Sequence, residues 1–370
     1  MNGWIIQKAL SGENHEVQRL VEEFEKQDIK IRVVNPQDVD IFVDRDDRKS
    51  IIVDGEPRKL PDFVLPRTGS GTTYFIKAII RHMEQLGVTM INGSDAIDNV
   101  KDKLYSQQIL GQSSLPVPKT MLVKHPINVG LVEKNIKYPM IVKTLSGSYG
   151  SGVFMVEDRK QFRQLMKMAE LSNARYNIII QECVEDSLGR DLRVLVINGK
   201  VVGCMMRQSI DGDFRANITR GGEAIPYQID EDIEWIGGEC ARLLNLDIAG
   251  VDLLFNNGSY VICEVNSAPG FEGMEKFTKV NVGEKIVNYV VKKIGNIKCK
   301  SISSISMFYD LPDPVQFAKD IYSLLDKNGI WTCEQSYMPT MLDRKSIDTI
   351  CHEHLEYYAL KQVYQIATEA

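Results

Sequence analysis

The chain has 370 residues, with 44 basic against 50 acidic side chains and a formal charge of −6. Hydrophobic residues at 44% and charged residues at 25% exclude wholesale disorder, a collagen-like repeat and a disulfide scaffold. The length implies two or three domains, and the mild acidity carries no general nucleic-acid footprint, although a local basic patch for an anionic ligand is allowed.

Trp4-Ile5-Ile6 reads as a strand. Residues 14–27 place Val17, Leu20, Val21 and Phe24 at helical spacing. Residues 29–34 read as a second strand, stopped by Asn35-Pro36, and Asp62-Phe63-Val64-Leu65-Pro66 as a third. Residues 72–86 form a helix closed by Gly87. Strands alternating with helices imply a parallel sheet covered on both faces. The charge run over 44–49 reads as a solvated loop. A new unit begins near Asn99, with a helix over 101–111 and a linker-like break at Ser113-Ser114-Leu115-Pro116-Val117-Pro118. Pro139-Met140-Ile141-Val142-Lys143 is a strand that enters a glycine-rich loop, and Ile178-Ile179-Ile180-Gln181-Glu182 is another. Two apolar runs between 191 and 207 flank Asn198-Gly199, a strong hairpin signal. A helix over 230–244 leads to two strands around Asn257-Gly258, and residues 285–293 form a closing helix. From Ser301 the pattern is strand, helix, strand, helix.

Seven cysteines stand at 183, 204, 240, 263, 299, 333 and 351, none in C-x-x-C spacing, and their odd number leaves a thiol unpaired. The opening MNGWIIQKAL is too short and polar for a secretory signal. No apolar run approaches the roughly 18 residues of a membrane span. A reducing, cytoplasmic setting is the expectation.

Three stretches carry chemistry. Leu145-Ser146-Gly147-Ser148-Tyr149-Gly150-Ser151-Gly152 joins two strands, and its small residues would let backbone N–H groups approach anionic oxygens. Lys143, at the end of the preceding strand, adds a point charge for a phosphate. The loop is neither a Walker P-loop nor a dinucleotide fingerprint, because no helix follows it. Read by itself, an ordinary hairpin loop accounts for it equally well, and Lys103 reads as a surface lysine.

Ala249-Gly250-Val251-Asp252-Leu253-Leu254-Phe255 and Tyr260-Val261-Ile262-Cys263-Glu264-Val265-Asn266 are strands that set oxygen donors inside apolar runs. A charge there is costly unless paired or bound to a cation. Glu264 and Asn266, two apart, share a face. Three oxygen ligands with phosphate oxygens and water suit Mg²⁺. Register tests the idea. A two-residue Asn257-Gly258 turn sets Asp252 opposite Cys263, so the metal reading needs an odd loop or a β-bulge. Otherwise all three side chains cap or pair at a sheet edge. The third stretch, Asp211 to Gly222, is polar and poorly periodic. Arg215 and Arg220 there could clamp phosphate or carboxylate oxygens, and Asn217 a metal or phosphate; a solvated loop is the plain alternative.

Together these segments resemble the RimK-type amino-acid ligases of the ATP-grasp fold, from the first strand to about residue 297. The most specific stretches are Pro66-Arg67-Thr68-Gly69, Asp102-Lys103-Leu104, Gly212-Asp213-Phe214-Arg215-Ala216-Asn217 with Arg220-Gly221-Gly222, Ala249-Gly250-Val251-Asp252, and Glu264-Val265-Asn266-Ser267-Ala268-Pro269-Gly270-Phe271-Glu272-Gly273. The resemblance implies a mixed α/β and α+β chain: a pre-ATP-grasp α/β domain over 1–98, a first ATP-grasp subdomain with the glycine loop over 99–185, and a second with the metal site over 186–297. It implies that Lys103 and Lys143 contact ATP phosphates and that Gly147, Gly150 and Gly152 close over them. Gln181-Glu182-Cys183-Val184 would be the hinge whose backbone reads adenine. Asp191, Arg215 and Asn217 would contact the nucleotide, and Asp252, Glu264 and Asn266 would hold Mg²⁺ or Mn²⁺, as two ions. Arg67, Arg207 and Arg220 would bind substrate carboxylates.

The implied activity is ATP-dependent joining of a carboxylate to an amine through an acyl phosphate, adding L-glutamate to a protein C-terminus or a small-molecule carboxylate. Arg215 and Lys143 would stabilise the transition state. Neither nucleic acid nor membrane is expected as a partner, and a homo-oligomer is left open. The alternative is an ATP-binding regulatory or scaffold protein whose ligase chemistry has decayed.

Residues 301–370 depart from that pattern. Asp348-Thr349-Ile350-Cys351-His352-Glu353-His354-Leu355-Glu356-Tyr357-Tyr358 resembles a motif of S-adenosylmethionine-dependent sugar C-methyltransferases, with Glu353 and His354 at matching positions. The glycine-rich strand–loop that should hold the cofactor does not precede it. The expectation is a short αβ appendage over 298–370, a remnant without methyl transfer. His352-Glu353-His354 lacks the spacing of a zinc site.

Overall fold

The computed structural model describes residues 1–8, 14–43, 50–124, 126–144, 152–171, 177–210, 212–216, 222–305 and 330–334. The chain forms two compact units, Met1–Tyr289 and Val290–Ala370. In the first unit, a small α/β lobe is built from β1 (Asn2–Ile6), α1 (His15–Glu25), β2 (Lys30–Val34), β3 (Val39–Ile41), β4 (Ile51–Val53), β5 (Glu56–Pro57), β6 (Phe63–Pro66), α2 (Tyr74–Gln85) and β7 (Thr89–Met90). Its main sheet runs β2-β1-β6-β7, parallel throughout, as the strand–helix alternation implies. Asn14 and Thr73 cap α1 and α2, each accepting from a backbone N–H three residues on, and Gly87 follows α2 at φ +82°. A Cβ at Gly3 would stand 2.2 Å from the Phe63 ring, so only glycine lets β1 lie beside that strand. The periodicity missed the β3-β4-β5 sheet and β7, whose two- and three-residue strands are too short to show alternation.

Next come α3 (Ser94–Lys101) and α4 (Lys103–Gln112). The helix expected over 101–111 is α4, and the preceding helix α3, not expected from the sequence, ends just before it. Asp102 is extended between them and its carboxylate accepts from Leu104 and Tyr105 N–H, so the capping residue interrupts the helix it starts. The expected boundary at 98 falls inside α3.

A four-stranded sheet contains β8 (Thr120–Val123), β9 (Met140–Thr144), β10 (Val153–Val156) and β11 (Ile178–Glu182) in the order β10-β9-β11-β8, covered by α5 (Val129–Asn135) and α6 (Arg159–Leu171). A five-stranded sheet contains β12 (Arg190–Ile197), β13 (Lys200–Gln208), β14 (Glu223–Pro226), β15 (Ile248–Asn256) and β16 (Ser259–Asn266), ordered β14-β13-β12-β15-β16 and antiparallel. The helix α7 (Glu231–Leu243), capped by Asp230, buries Ile233, Ile236 and Cys240 against that sheet's apolar face. Then follow α8 (Glu272–Thr278) and α9 (Val282–Lys300), longer than the closing helix expected over 285–293 and running through the expected boundary at 297. In the second unit, β17 (Ser301–Ile305) pairs in parallel with β18 (Ile330–Glu334). The Glu353–His354 motif lies outside the described residues. Among the described residues no helix is long and apolar enough to cross a membrane.

Candidate functional site

The polar face of the five-stranded sheet carries the candidate site. Its registers align Arg193 of β12, Asp252 of β15 and Glu264 of β16 in one row, while Asp191 pairs with Arg207 of β13 in the next. Period-2 alternation puts Asp191 with Arg193, and Glu264 with Asn266, on that same face. The Asn257-Gly258 turn has two residues, since Asn256 pairs with Ser259; the odd count comes from a bulge that sets Asp252 opposite Glu264 and Leu253 opposite Ile262. Cys263 is the extra residue. The register condition set by the sequence is met by this bulge.

Asp252 and Arg207 are each 7% exposed, so their charges need partners. Arg193 forks onto Asp252 with Nε–Oδ1 at 2.5 Å and Nη2–Oδ2 at 2.9 Å. Arg207 forks onto Asp191 with both contacts at 2.6 Å and reaches Asp252 Oδ2 at 3.1 Å. Burial alone would raise the Asp252 carboxyl, but Arg193 and Arg207 outweigh it and hold the group below its ordinary range. Burial and the nearby Asp252 charge push Asp191 up against the pull of Arg207. The Arg207 guanidinium, although buried, is held above its ordinary value by the two carboxylates. Arg207, expected to take a substrate carboxylate, is therefore committed to Asp191 and Asp252. Arg193, not singled out from the sequence, completes the network; its two-residue spacing from Asp191 on a strand was the available signal.

Beside this row lies a narrow cleft lined by Lys103, Ser106, Gln107, Lys143, Ile179, Gln181, Cys263 and Glu264. Lys143, Ile179 and Gln181 come from the four-stranded sheet of β8–β11 and Cys263 and Glu264 from the five-stranded one, so one wall belongs to each sheet, and Lys103 comes from the first turn of α4. Lys143 Nζ stands 3.9 Å from Cys263 Sγ. Burial raises that thiol's pKa, with Lys143 opposing. Gln107 donates to the Ile262 and Cys263 carbonyls at 3.3 and 3.2 Å, fastening α4 to the bulge. Its buried Oε1 has no hydrogen-bond partner.

At the expected hinge, Gln181 is buried and donates to Thr120 Oγ1 at 2.7 Å, while Glu182 accepts from the Lys119 N–H at 2.9 Å. Cys183 is half-buried and Val184 leads into a 3-10 turn over Glu185–Ser187. Asp186 and Ser187 accept the Asn257 and Phe255 N–H groups, pinning the hinge to the β15–β16 hairpin. Arg215 stacks on Phe214 and forks onto Asp213, with Nη2–Oδ2 at 2.6 Å. Gly152, at φ +78°, closes the glycine loop where a Cβ would sit 2.3 Å from Thr144 Oγ1. Gly147, Gly150, Asn217 and Arg220 lie outside the described residues. Arg67 donates to the Pro269 carbonyl at 2.7 Å and lies over Phe271, so burial lowers its pKa, against the opposing charge of Glu16. Asn92, also missed, is buried and bonds Ile248, Ser267 and Asp247 backbone groups with its whole amide, tying the first lobe to β15.

The donor set suits a magnesium–nucleotide complex in part. Among the described residues, no three carboxylate, thiol or imidazole side chains converge to hold a metal. Glu264 and Asn266 are half-exposed hard oxygen donors on the row, with the Asp252 carboxylate behind them. Phosphate oxygens and water would have to complete an octahedral shell.

Two family models match: a RimK PreATP-grasp domain over residues 8–97 and a RimK-like ATP-grasp domain over 100–290. The chain belongs to the RimK-like ATP-grasp family. A probable alpha-L-glutamate ligase of Legionella pneumophila is 34% identical over 292 residues, covering 79% of this chain and 94% of that protein. Among solved structures, the ATP-grasp ligase PsnB, complexed with a precursor variant, Mg and ADP, aligns at a TM-score of 0.62 with 20% identity, over 79% of this chain and 98% of PsnB. A RimK domain protein of Sphaerobacter thermophilus aligns at 0.63 with 16% identity, over 78% and 99%. These structures share the fold. As an ATP-grasp ligase, the chain is an enzyme of ATP-dependent carbon–nitrogen bond formation. The family matches end at residue 290, and the methyltransferase resemblance of residues 301–370 gains no support from them.

Proposed function

We propose that this ligase joins L-glutamate to a carboxylate acceptor, a protein C-terminus or a small molecule, with release of ADP. The observation that carries the reading is the cleft that Lys103, Lys143 and Glu264 line together beside the bulge. The probable alpha-L-glutamate ligase of Legionella pneumophila, similar along almost its whole length, supports the choice of amino acid. Bound ATP with Mg²⁺ or Mn²⁺, as two ions, would supply the phosphoryl group that turns an inert carboxylate into an acyl phosphate open to an amine.

This chain's residues have separable tasks. Lys103 and Lys143 place positive charge where phosphates lie, and Gly147, Gly150 and Gly152 bring backbone N–H groups over them. Glu264, Asn266 and Asp252 offer oxygens to the metal, with Asn217 contributing to the nucleotide side. Arg193 and Arg207 keep Asp252 ionised and oriented, and Asp191 holds Arg207 in place. Backbone groups of Gln181, Glu182, Cys183 and Val184 read adenine. Arg215, released from Asp213, and Lys143 offset charge developing during transfer. Arg67 and Arg220 bind substrate carboxylates. The lobes 1–98, 99–185 and 186–297 act together, and the appendage 298–370 takes no part in catalysis. We place the work in a reducing, cytoplasmic setting, where the Cys183 and Cys263 thiols near the nucleotide stay free. The intact Asp252, Glu264 and Asn266 set favours this over an ATP-binding scaffold.

The full chain is incubated with ATP, Mg²⁺, L-glutamate and a panel of carboxylate acceptors. Acceptor-dependent ADP release, with an acceptor mass increased by one glutamyl residue, is the expected result. Absence of both across the panel refutes the reading.

A further inference from the structure

The parallel sheet of the first lobe has a topological switch point. From β1 the chain passes to β2 on one side, and β6 lies on the other. In open α/β sheets the crevice beyond the carboxyl ends of two such strands is the ligand site. Here β1 leads into Gln7-Lys8 and β6 into Arg67-Thr68, with Ile6 beside Pro66 in register.

Positive charge gathers at that crevice. The turn over Gly69–Gly71 is locked by Thr72, whose hydroxyl donates to the Gly69 carbonyl at 2.7 Å and meets Thr68 Oγ1 at 2.6 Å. Lys101, from the last turn of α3, donates to the Thr72 carbonyl. A methyl group built on Gly71 would stand 3.5 Å from Lys8 Nζ. Lys77 of α2 reaches Asp98 at 2.6 Å. Lys8, Lys77 and Lys101 thus gather beside Asp98, while Arg67 faces Glu16, which already accepts the Phe271 and Glu272 N–H groups. Burial and the like charges of Lys77 and Lys8 destabilise the Lys101 ammonium, with Asp98 opposing. An added anion relieves that repulsion. The same turn meets the segment that follows the metal-row strand: a Cβ built on Gly69 would lie 3.8 Å from Ala268 Cβ, two residues past Asn266.

The geometry points to a carboxylate subsite at this crevice, formed by Lys8, Lys101 and the Gly69–Gly71 turn, which holds a second carboxylate of a substrate outside the reacting group. The substrate is acidic, either the incoming amino acid through its side chain or an acceptor with an acidic end. The inference rests on the proposed ligase function for its substrate classes.

Calorimetry on the full chain with L-glutamate and with N-acetyl-triglutamate, each in the presence of ADP and Mg²⁺, separates the two sources. Lys8→Gln and Lys101→Gln are expected to weaken one probe about tenfold, the scale of one lost charge-assisted contact. Lys8→Arg should retain it, and ADP affinity should stay unchanged in all three. Weakening of L-glutamate assigns the subsite to the amino acid; weakening of N-acetyl-triglutamate assigns it to the acceptor. Unchanged binding of both probes, or a wild-type chain that binds neither, overturns the subsite. Binding by the wild type without ADP release in the acceptor panel refutes the ligase reading and leaves the subsite standing.

Discussion

The buried network allows stability and catalysis to be separated by a double-mutant cycle on Arg193 and Asp252. Asp191, Asp252, Arg193 and Arg207 sum to zero charge. Asp252 and Arg207 are 7% exposed, and their side chains are bonded to one another. Arg193→Met leaves Asp252 with a single contact to Arg207, which Asp191 already holds through two. The quartet then carries one uncompensated negative charge, and breaking a buried pair in this way costs about 3–5 kcal/mol. Asp252→Leu strands Arg193 and costs a similar amount. The double variant removes a neutral pair and leaves Asp191 with Arg207, so its loss should stay under about 2 kcal/mol, against about 6–10 if the single losses added. Urea unfolding followed by circular dichroism reads the cycle without adding salt, and raising NaCl should change little because the pairs are buried. ADP release should remain abolished in the double variant, whose fold is restored but whose Asp252 oxygens are gone. Single losses below about 1 kcal/mol, or a double loss equal to their sum, would refute the reasoning.

Lys143→Ala should lower kcat/KM for ATP-dependent ligation by about 10²–10³, the scale of one lost electrostatic donor at a reacting centre; steady-state ADP release checks it. Glu264→Gln keeps the shape of the cleft but removes a charged oxygen donor, so turnover should demand far more Mg²⁺; an unchanged Mg²⁺ dependence counts against its place in the metal set. Asn92→Ala strips partners from two backbone N–H groups and two carbonyls in a buried joint, which should cost about 2–4 kcal/mol of stability in denaturant titration. Burial in the sheet core, aided by Asp230, raises the Cys204 thiol from 9.0 to about 12. Below pH 9 both folded and unfolded thiols are protonated and its contribution is intact; above it the unfolded thiol ionises first, and stability falls until the folded thiol follows. At pH 10.5 the loss is about 2 kcal/mol, and Cys204→Ala should flatten that alkaline slope.

Much of the fold was legible because its signals are local. Apolar residues at helical spacing mark α1, with Asn14 at its start, and Asn198-Gly199 and Asn257-Gly258 mark their hairpins. The residues with oxygen and cationic heads in the cleft were also legible, by type and by order along the chain. What stayed hidden depends on partners distant in sequence. Arg193 looks like any strand arginine until β15 lies beside it, and Asn92 has no meaning until β15 and the segment after β16 converge on its amide. Gln107 sits in an unremarkable helix until the bulge presents two carbonyls to it. Arg207 was legible as a cation, but its cross-strand neighbour Asp191 decides its use.

The bulge itself follows from a comparison of costs. With a two-residue turn and an unbroken ladder, Asp252 would face Cys263, Val251 would face Glu264, and Gly250 would face Val265. Val251, Leu253 and Ile262 belong to the buried cluster under α7, so Glu264 would enter that core while Val265 left it. A carboxylate placed there without a partner costs several kcal/mol, whereas one disrupted ladder position forfeits about 1 kcal/mol per lost hydrogen bond. The cheaper solution keeps Ile262 and Val265 in the core, admits Cys263 as the extra residue, and brings Glu264 level with Asp252. That residue then stands against Lys143, and its carbonyl receives Gln107. The same irregularity that protects the core therefore sets the carboxylate row and fastens both walls of the cleft to it.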